Sequence, residues 1–255
     1  MTTFELEAVG GPWAKRARKR MSGLEDLPWN EVHASEEALA QARIVWTQSA
    51  FSEYASAASF AEIASALLAA NAPIDLVAAA GEFVADEMLH AELSARIAVA
   101  FGGAIALDVN LEKLVRPPSG ATPLLRAAEL VVRTSCVGEA LTVPILKSAK
   151  AVADCPLVER IIGRILKDES AHAELGFWFL DWADARLTEA DRVHLTRVAE
   201  DAIASFAPLL ETATCERASK LGSLDCTAFD ATFHAALEHR VRAPLRAHGI
   251  CTSGA

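Results

Sequence analysis

An eight-residue stretch that occurs twice constrains this chain more than any other feature. Asp86-Glu87-Met88-Leu89-His90-Ala91-Glu92-Leu93 and Asp168-Glu169-Ser170-Ala171-His172-Ala173-Glu174-Leu175 both read D-E-x-x-H-A-E-L, and their first residues are 82 apart (168 − 86). On a helix, residues three apart are offset by only about 60°, so Glu87 and His90 share a face, as do Glu169 and His172. A Glu-x-x-His pair from each of two helices is half of a dinuclear carboxylate metal site. The other half is one Glu from each of two further helices. The pattern therefore requires two more inward-facing glutamates.

Composition narrows the fold. A chain of 255 residues that is 52% hydrophobic but only 6% aromatic, rich in Ala and Leu and poor in β-branched runs, reads as all-α. A formal charge of −10 argues against a nucleic-acid partner. The one basic block, Lys15-Arg16-Ala17-Arg18-Lys19-Arg20, reads as a solvated arm rather than a membrane or nucleic-acid contact. Cys136, Cys155, Cys215, Cys226 and Cys251 are odd in number and lack C-x-x-C spacing, as expected of reduced thiols. With neither a signal peptide nor an apolar run able to span a bilayer, a cytoplasmic location and no membrane partner are expected.

Six helices and an arm follow from the pattern. Residues 1–34, with Gly10-Gly11-Pro12 and Leu27-Pro28-Trp29, carry no helical stripe and are expected to pack over the helices through Trp13 and Trp29. Ser35 is an N-cap candidate for a first helix to about Asn71, where Ala72-Pro73 breaks it. Along that helix Glu53 shares the apolar stripe of Trp46, Ala50, Ala57 and Phe60. Glu62 lies on the opposite, weaker face, so Glu53 is the inward carboxylate. A second helix runs to Phe101, ahead of Gly102-Gly103, with Glu87 and His90 amid Ala80, Phe83, Val84, Ala91, Ser94 and Ala98. Residues 104–121 contain Pro117-Pro118-Ser119-Gly120 and form a long connection. The third helix, about 122–152, carries Glu139 on a stripe with Val132, Ser135, Cys136, Thr142 and Val143, and Pro144 should kink or bulge it beside Glu139. The fourth, about 156–186, carries Glu169 and His172 amid Ile162, Ile165, Leu166, Ala173, Gly176 and Leu180. Two more helices, roughly 188–220 and 226–247, buttress the core. The whole is one domain: arm 1–34, core 35–186, additional helices 187–255.

Glu53 and Glu87 are 34 residues apart (87 − 53), and Glu139 and Glu169 are 30 apart (169 − 139). Reverse connections of that length place both pairs opposite one another at mid-helix. The expected metal set, which is also the expected catalytic set, is Glu53, Glu87, His90, Glu139, Glu169 and His172. Four carboxylates balance two divalent ions, and iron or manganese accepts this mixed oxygen and imidazole ligation. Asp86 and Asp168 are placed to orient a ligating imidazole through its free N–H. Left without a metal, four buried carboxylates would cost several kcal/mol each. Cys136, Thr142, Ser94 and Ala57 are candidate pocket-wall residues, with Cys136 more readily read as a plain core thiol. The small side chains Ala50, Ala57, Ala91, Ser94, Ala173 and Gly176 leave room for an apolar ligand. His194, with Asp191 before it, reads as half of a surface pair, and Glu92 as a partner of Arg96.

These motifs resemble the ferritin-like di-metal carboxylate superfamily over about residues 35–186. Relatives there include ferritins, rubrerythrins, ribonucleotide reductase small subunits, bacterial multicomponent monooxygenases, aldehyde-deformylating oxygenases and the p-aminobenzoate N-oxygenase group. Ser135-Cys136-Val137-Gly138-Glu139-Ala140, with the two D-E-x-x-H-A-E-L stretches, is similar to small stand-alone bacterial members. The resemblance implies a four-helix bundle with a long crossover and two iron ions, with Mn/Fe or Mn/Mn as alternatives. It also implies dioxygen, a small-molecule substrate and an external electron donor as partners, and a homodimer as an option. Ile165 stands where the N-oxygenase group has an extra His. Ser94 stands where reductase subunits carry their radical Tyr, and the only tyrosine is Tyr54. A rubredoxin-type C-x-x-C module is absent, and storage ferritins are shorter. The expectation is an oxygen-activating oxidase or oxygenase acting on a small organic molecule, with a ferroxidase or peroxide-detoxifying protein as the alternative.

Overall fold

The computed structural model describes residues 1–12, 15, 19–24, 26–29, 32–206 and 220–252, and these are mostly helical. Trp13, Arg16, Arg18, Cys215 and residues 207–219 lie outside the described residues, so the arm contact through Trp13 does too; the fifth helix, expected to run to about 220, stops at Ala204 with Ser205 as its C-cap.

Helix α1 spans Glu36–Ala69 and starts where Ser35 accepts a hydrogen bond from the Ala38 amide at 3.2 Å. It ends at Asn71, whose φ of 52° turns the chain toward Pro73 and α2, Ile74–Ala100. The third helix, α3, is three segments in line: Pro123–Val131, a π-helical stretch Val132–Glu139, and Ala140–Val152. Thr122 caps it and Pro123 opens it. Helix α4 spans Pro156–Ala183, and α5 spans Glu189–Ala204 behind a Thr188–Asp191 capping box. The last, α6, joins Cys226–Ala236, a second π stretch Leu237–Arg242, and Ala243–Ala247. The expected irregularity in α3 is present, but as a π segment that ends on Glu139, one turn before Pro144. That proline has no N–H to give the Ala140 carbonyl, so the helix is interrupted on its N-terminal side.

Residue contacts fix the helix directions. Arg43 meets the Phe101 carbonyl, Glu53 meets His90, and Phe60 meets Phe83, so α1 and α2 are antiparallel. Lys150 meets Glu159 while Cys136 lies against Gly176, so α3 and α4 are antiparallel as well. His90 meets Asp168 while Phe83 meets His172, giving the same relation between α2 and α4. Helix α1 also packs on α3, α5 lies on the first half of α3, and α6 lies on its last segment.

The arm is not simply coil. Thr2–Thr3 (β1) pairs antiparallel with Asp108–Val109 (β2) of the connection, and Phe4 stacks edge-on against Phe51 and Tyr54. Met21 and Leu27 are buried in the same apolar cluster as Trp46, Leu93, Ile97 and Phe101. A second cluster holds Phe60, Phe83, Phe179 and Leu180. On α1, α2 and α4 the residues between the two clusters are the polar ones: Glu53, Glu87 with His90, and Glu169 with His172. Burying leucine-sized side chains on both sides supplies about 1.5–3 kcal/mol each and holds that polar layer in place.

Candidate metal centre

Each half of the polar layer comes from one helix phase. On α2, Glu87 and His90 are fully buried; on α4, Glu169 and His172 are equally buried. Glu139 is buried at the end of the π segment. Glu53 is partly buried and points to the same place, whereas Glu62 on the opposite face of α1 is exposed. The six side chains form two overlapping groups. Glu53, Glu87, His90 and Glu169 each bring one donor atom within 4.8 Å of the others, and so do Glu87, Glu139, Glu169 and His172. Glu87 and Glu169 belong to both.

The arrangement has an approximate two-fold relation between α2 and α4. His90 Nδ1 lies 2.9 Å from Glu169, and His172 Nδ1 lies 2.9 Å from Glu87. Within each motif the separations are 3.7 Å for Glu87–His90 and 3.2 Å for Glu169–His172. These short approaches are not aligned as hydrogen bonds: Glu87 Oε1 and Oε2, Glu169 Oε2, and the Nδ1 atoms of both histidines are buried without a hydrogen-bond partner. Orphaned polar atoms of this kind are rare inside proteins and each costs about 1–3 kcal/mol. Adjacent ligands of an octahedral cation with bonds of about 2.1 Å sit about 3.0 Å apart, so the spacing fits donors that share an ion. Buried Glu and His groups within metal-binding distance of one another thus suggest a metal site.

The Nε2 atoms face the other way and cross between the motifs. His90 Nε2 lies 3.2 Å from Asp168 on α4, and His172 Nε2 lies 3.7 Å from Asp86 on α2. Asp168 is thus hydrogen-bonded to the histidine of the opposite helix, whereas His172 Nε2 is buried without a hydrogen-bond partner and faces Asp86 only as a nearby charge; each aspartate is held by an arginine. Arg164 pairs with Asp168 from one turn earlier on α4. Arg20, from the arm, lies 2.5 Å from Asp86. Such outer carboxylates fix the tautomer and ring orientation of a ligating imidazole.

Electrostatics reflect the crowding. Burial, then the charges of Glu87 and Glu169, raise the Glu53 carboxyl well above its ordinary range. Burial, then Glu169 and Glu87, does the same to Glu139. Burial also works against charged imidazoles, yet Glu169 and Glu87 push His90 up to about 10. Asp86, Glu169 and Glu87 likewise outweigh burial to push His172 up to about 11. For Glu169, burial opposes ionisation, but the two histidines hold the carboxyl well below its usual range.

The candidate pocket-wall residues are not alike. Cys136 is fully buried, and burial raises its thiol strongly. A Cβ added to Gly176 would stand 2.5 Å from Cys136 Sγ and 2.9 Å from its backbone N, so the space beside Gly176 is taken up by the π segment of α3. Thr142 donates its hydroxyl to the Gly138 carbonyl at 3.0 Å. Ser94 is fully buried one turn after His90, with its hydroxyl unpartnered, and Ala57 is buried on α1.

Two residues outside the motifs differ from their sequence reading. His194 does not pair with Asp191, which is occupied by the Thr188 cap; its Nε2 reaches 2.5 Å from Glu129, a buried carboxylate on α3. Glu129 also accepts from the Ser119 amide at 2.7 Å and the Ser119 hydroxyl at 3.2 Å, which ties the connection to α3 and α5. Glu129 sits on an apolar stretch with no signature of its own, so only tertiary contact reveals it. Glu92 does pair with Arg96, at 2.7 Å. No helix among the described residues is long and apolar enough to cross a membrane.

Set against known proteins, the chain matches no family model, no curated protein and no solved structure.

Proposed function

We propose that the chain is a ferritin-like di-metal carboxylate oxidoreductase, with α1 to α4 as its four-helix bundle and residues 104–121 as the long crossover. The observation that carries this reading is the pair of overlapping donor groups that share Glu87 and Glu169. Glu53 and His90 would complete one ion's ligands, and Glu139 and His172 the other's, with Glu87 and Glu169 bridging. Iron at both positions is the favoured pair, and Mn/Fe is the closest substitute. Such a pair, reduced by an external donor, supplies the activation of dioxygen for oxidation of a small organic molecule.

The chain's own residues do the rest. Asp168 accepts from the Nε2–H of His90, and Asp86 faces His172 Nε2 at 3.7 Å, so that both Nδ1 atoms are left free to ligate. The two apolar clusters keep water from the carboxylates. Phe60 and Phe83, with ring centres 5.1 and 4.2 Å from that of His172, wall one side of the centre. Glu53 and Glu139 each belong to only one donor group, which leaves them freer to shift than the bridging pair.

The test is metal analysis of the purified chain followed by rapid mixing of the di-ferrous protein with oxygenated buffer. About two ions per chain are expected, lost in Glu87→Ala and Glu169→Ala. A transient visible band whose decay one organic compound accelerates is the expected kinetic result. Full metal content in both variants overturns the site. Catalytic deposition of ferric mineral, with no compound altering the decay, replaces the oxidase with a ferroxidase.

A further inference from the structure

Beside the proposed centre, α3, α4 and α6 enclose a cleft of about 920 Å³. Its wall is apolar at Val143 of α3, Leu166 of α4 and Ala236 of α6. Its rim carries Lys147, Lys150 and Arg240, with the hydroxyls of Ser148, Ser170 and Thr232 between them, and among the described residues no acidic one lines it. In a chain of net charge −10, three cations around one cleft with no acid among them focus a positive potential there. Lys150 is drawn toward Glu159 at 3.7 Å, but Lys147 and Arg240 have no carboxylate partner among the described residues.

The cleft lies next to the candidate ligands. Val143 is one turn after Glu139, Leu166 is one turn before Glu169, and Ser170 directly follows Glu169. A smaller hollow of about 220 Å³ shares Arg240 with it and is lined by Ala140, Ala173 and Phe177, with Glu174 and His239 at its polar side. Ala140 adjoins Glu139, and Ala173 adjoins His172. Arg240 thus lines both hollows, from the π segment Leu237–Arg242 of α6. The other π segment ends on Glu139. Single π turns are retained mostly where they re-aim a side chain at a working site.

We infer that this cleft binds a small organic anion: one carboxylate held by Lys147 and Arg240, on an apolar body that lies along Val143, Leu166 and Ala236. A cleft of this size accommodates a molecule the size of a medium-chain acid or an aromatic acid. Binding depends only on the cleft's own side chains. The further assignment, that the bound acid is the molecule oxidised at the centre, rests on the di-metal reading given above.

Calorimetric titration of the full chain with octanoate, octanol and inorganic phosphate tests the inference. Octanoate should bind, and octanol should bind at least tenfold more weakly. Lys147→Gln and Arg240→Gln should each weaken octanoate by about tenfold, as expected for loss of a charge-assisted contact. Both positions are exposed, so the variants should keep the wild-type far-UV circular dichroism. Octanoate affinity unchanged in both variants, or equal affinity for octanol, overturns the anion site. Phosphate that binds and displaces octanoate as well as a second carboxylate does overturns the apolar half of the claim. Metal content, measured on the same samples, separates the two readings. Two ions per chain with no octanoate binding sinks the cleft alone, and octanoate binding to a chain that takes up no metal sinks the centre alone. With cobalt(II) in the centre, octanoate should shift the visible spectrum of the wild type and not of Arg240→Gln.

Discussion

Gly176→Ala isolates the contact that brings α4 against α3 at the candidate centre. In an ordinary helix interior the change would stabilise by about 0.8–1 kcal/mol, because alanine is the better helix former. At Gly176 the new Cβ would meet Cys136 Sγ at 2.5 Å, Cys136 N at 2.9 Å and the Ser135 Cβ at 3.0 Å. The thiol can rotate, but the backbone nitrogen cannot. Overpacking of this kind costs about 1–3 kcal/mol beyond any propensity gain when backbone must move. We therefore expect Gly176→Ala to be destabilised by roughly 1–2 kcal/mol in urea unfolding of metal-free protein, a fall in Tm of about 2–6 °C for a chain of this size. Gly81→Ala is the control, since a Cβ there meets nothing within 4 Å. It should gain about 0.5–1 kcal/mol. Adding Cys136→Ala to Gly176→Ala should recover part of the loss, because it removes the sulfur and leaves the backbone contact, and the pair should couple by at least about 0.5 kcal/mol. Equal, stabilising shifts for Gly176→Ala and Gly81→Ala would refute the close-approach argument.

Arg20→Gln should weaken divalent-ion binding by roughly tenfold, because Asp86 then loses the cation that steadies it against His172, and Arg20→Lys should restore part of it by the same titration. Glu129→Ala should cost about 2–4 kcal/mol in urea unfolding, since it strips the Ser119 amide and His194 of their shared buried acceptor; Glu129→Gln should cost less. Iodoacetamide should label exposed Cys251 long before Cys136, whose buried thiol should react only as the protein unfolds; peptide mass mapping reads the order.

Helix phase was the legible part of this chain. Within one helix the apolar stripe tells which carboxylate faces inward, and that is why Glu53 could be separated from Glu62, which the structure leaves exposed. The first helix's cap was legible for the same local reason: Ser35 bonds the amide three residues on. What periodicity cannot report is which neighbour a face meets. Asp86 was expected beside a histidine, but that it faces His172 rather than the histidine of its own motif depends on the stagger of α2 against α4. His194 looked like a local pair with Asp191 three residues before it, and the buried Glu129 was invisible because a single acid in an apolar run has no period. Gly176 read as empty space, whereas it is the point where two backbones approach. The pairing of Thr2–Thr3 with Asp108–Val109 lay beyond reach as well, since two-residue strands carry no alternation to detect.

Charge explains why so polar a layer is tolerated between two apolar clusters. With every proton removed, the four carboxylates of Glu53, Glu87, Glu139 and Glu169 carry four negative charges in a place where water cannot screen them. Burial and the neighbouring carboxylates push Glu53 and Glu139 toward their protonated forms, and Glu87 and Glu169 push both imidazoles toward theirs; protonating all four groups would bring in four protons. Four protons neutralise four carboxylates. Two divalent cations with neutral imidazoles do the same, so exchanging one set for the other leaves the interior uncharged in both states. A single divalent ion would leave two charges to be met by protons, on the half of the site it did not occupy. The two donor groups share Glu87 and Glu169, so a first ion would already order both ligands that a second one needs. The outer layer would suit the same exchange. Asp168 with Arg164 and Asp86 with Arg20 are each close to neutral as pairs, and they flank the imidazoles whether Nδ1 bears a proton or faces a cation.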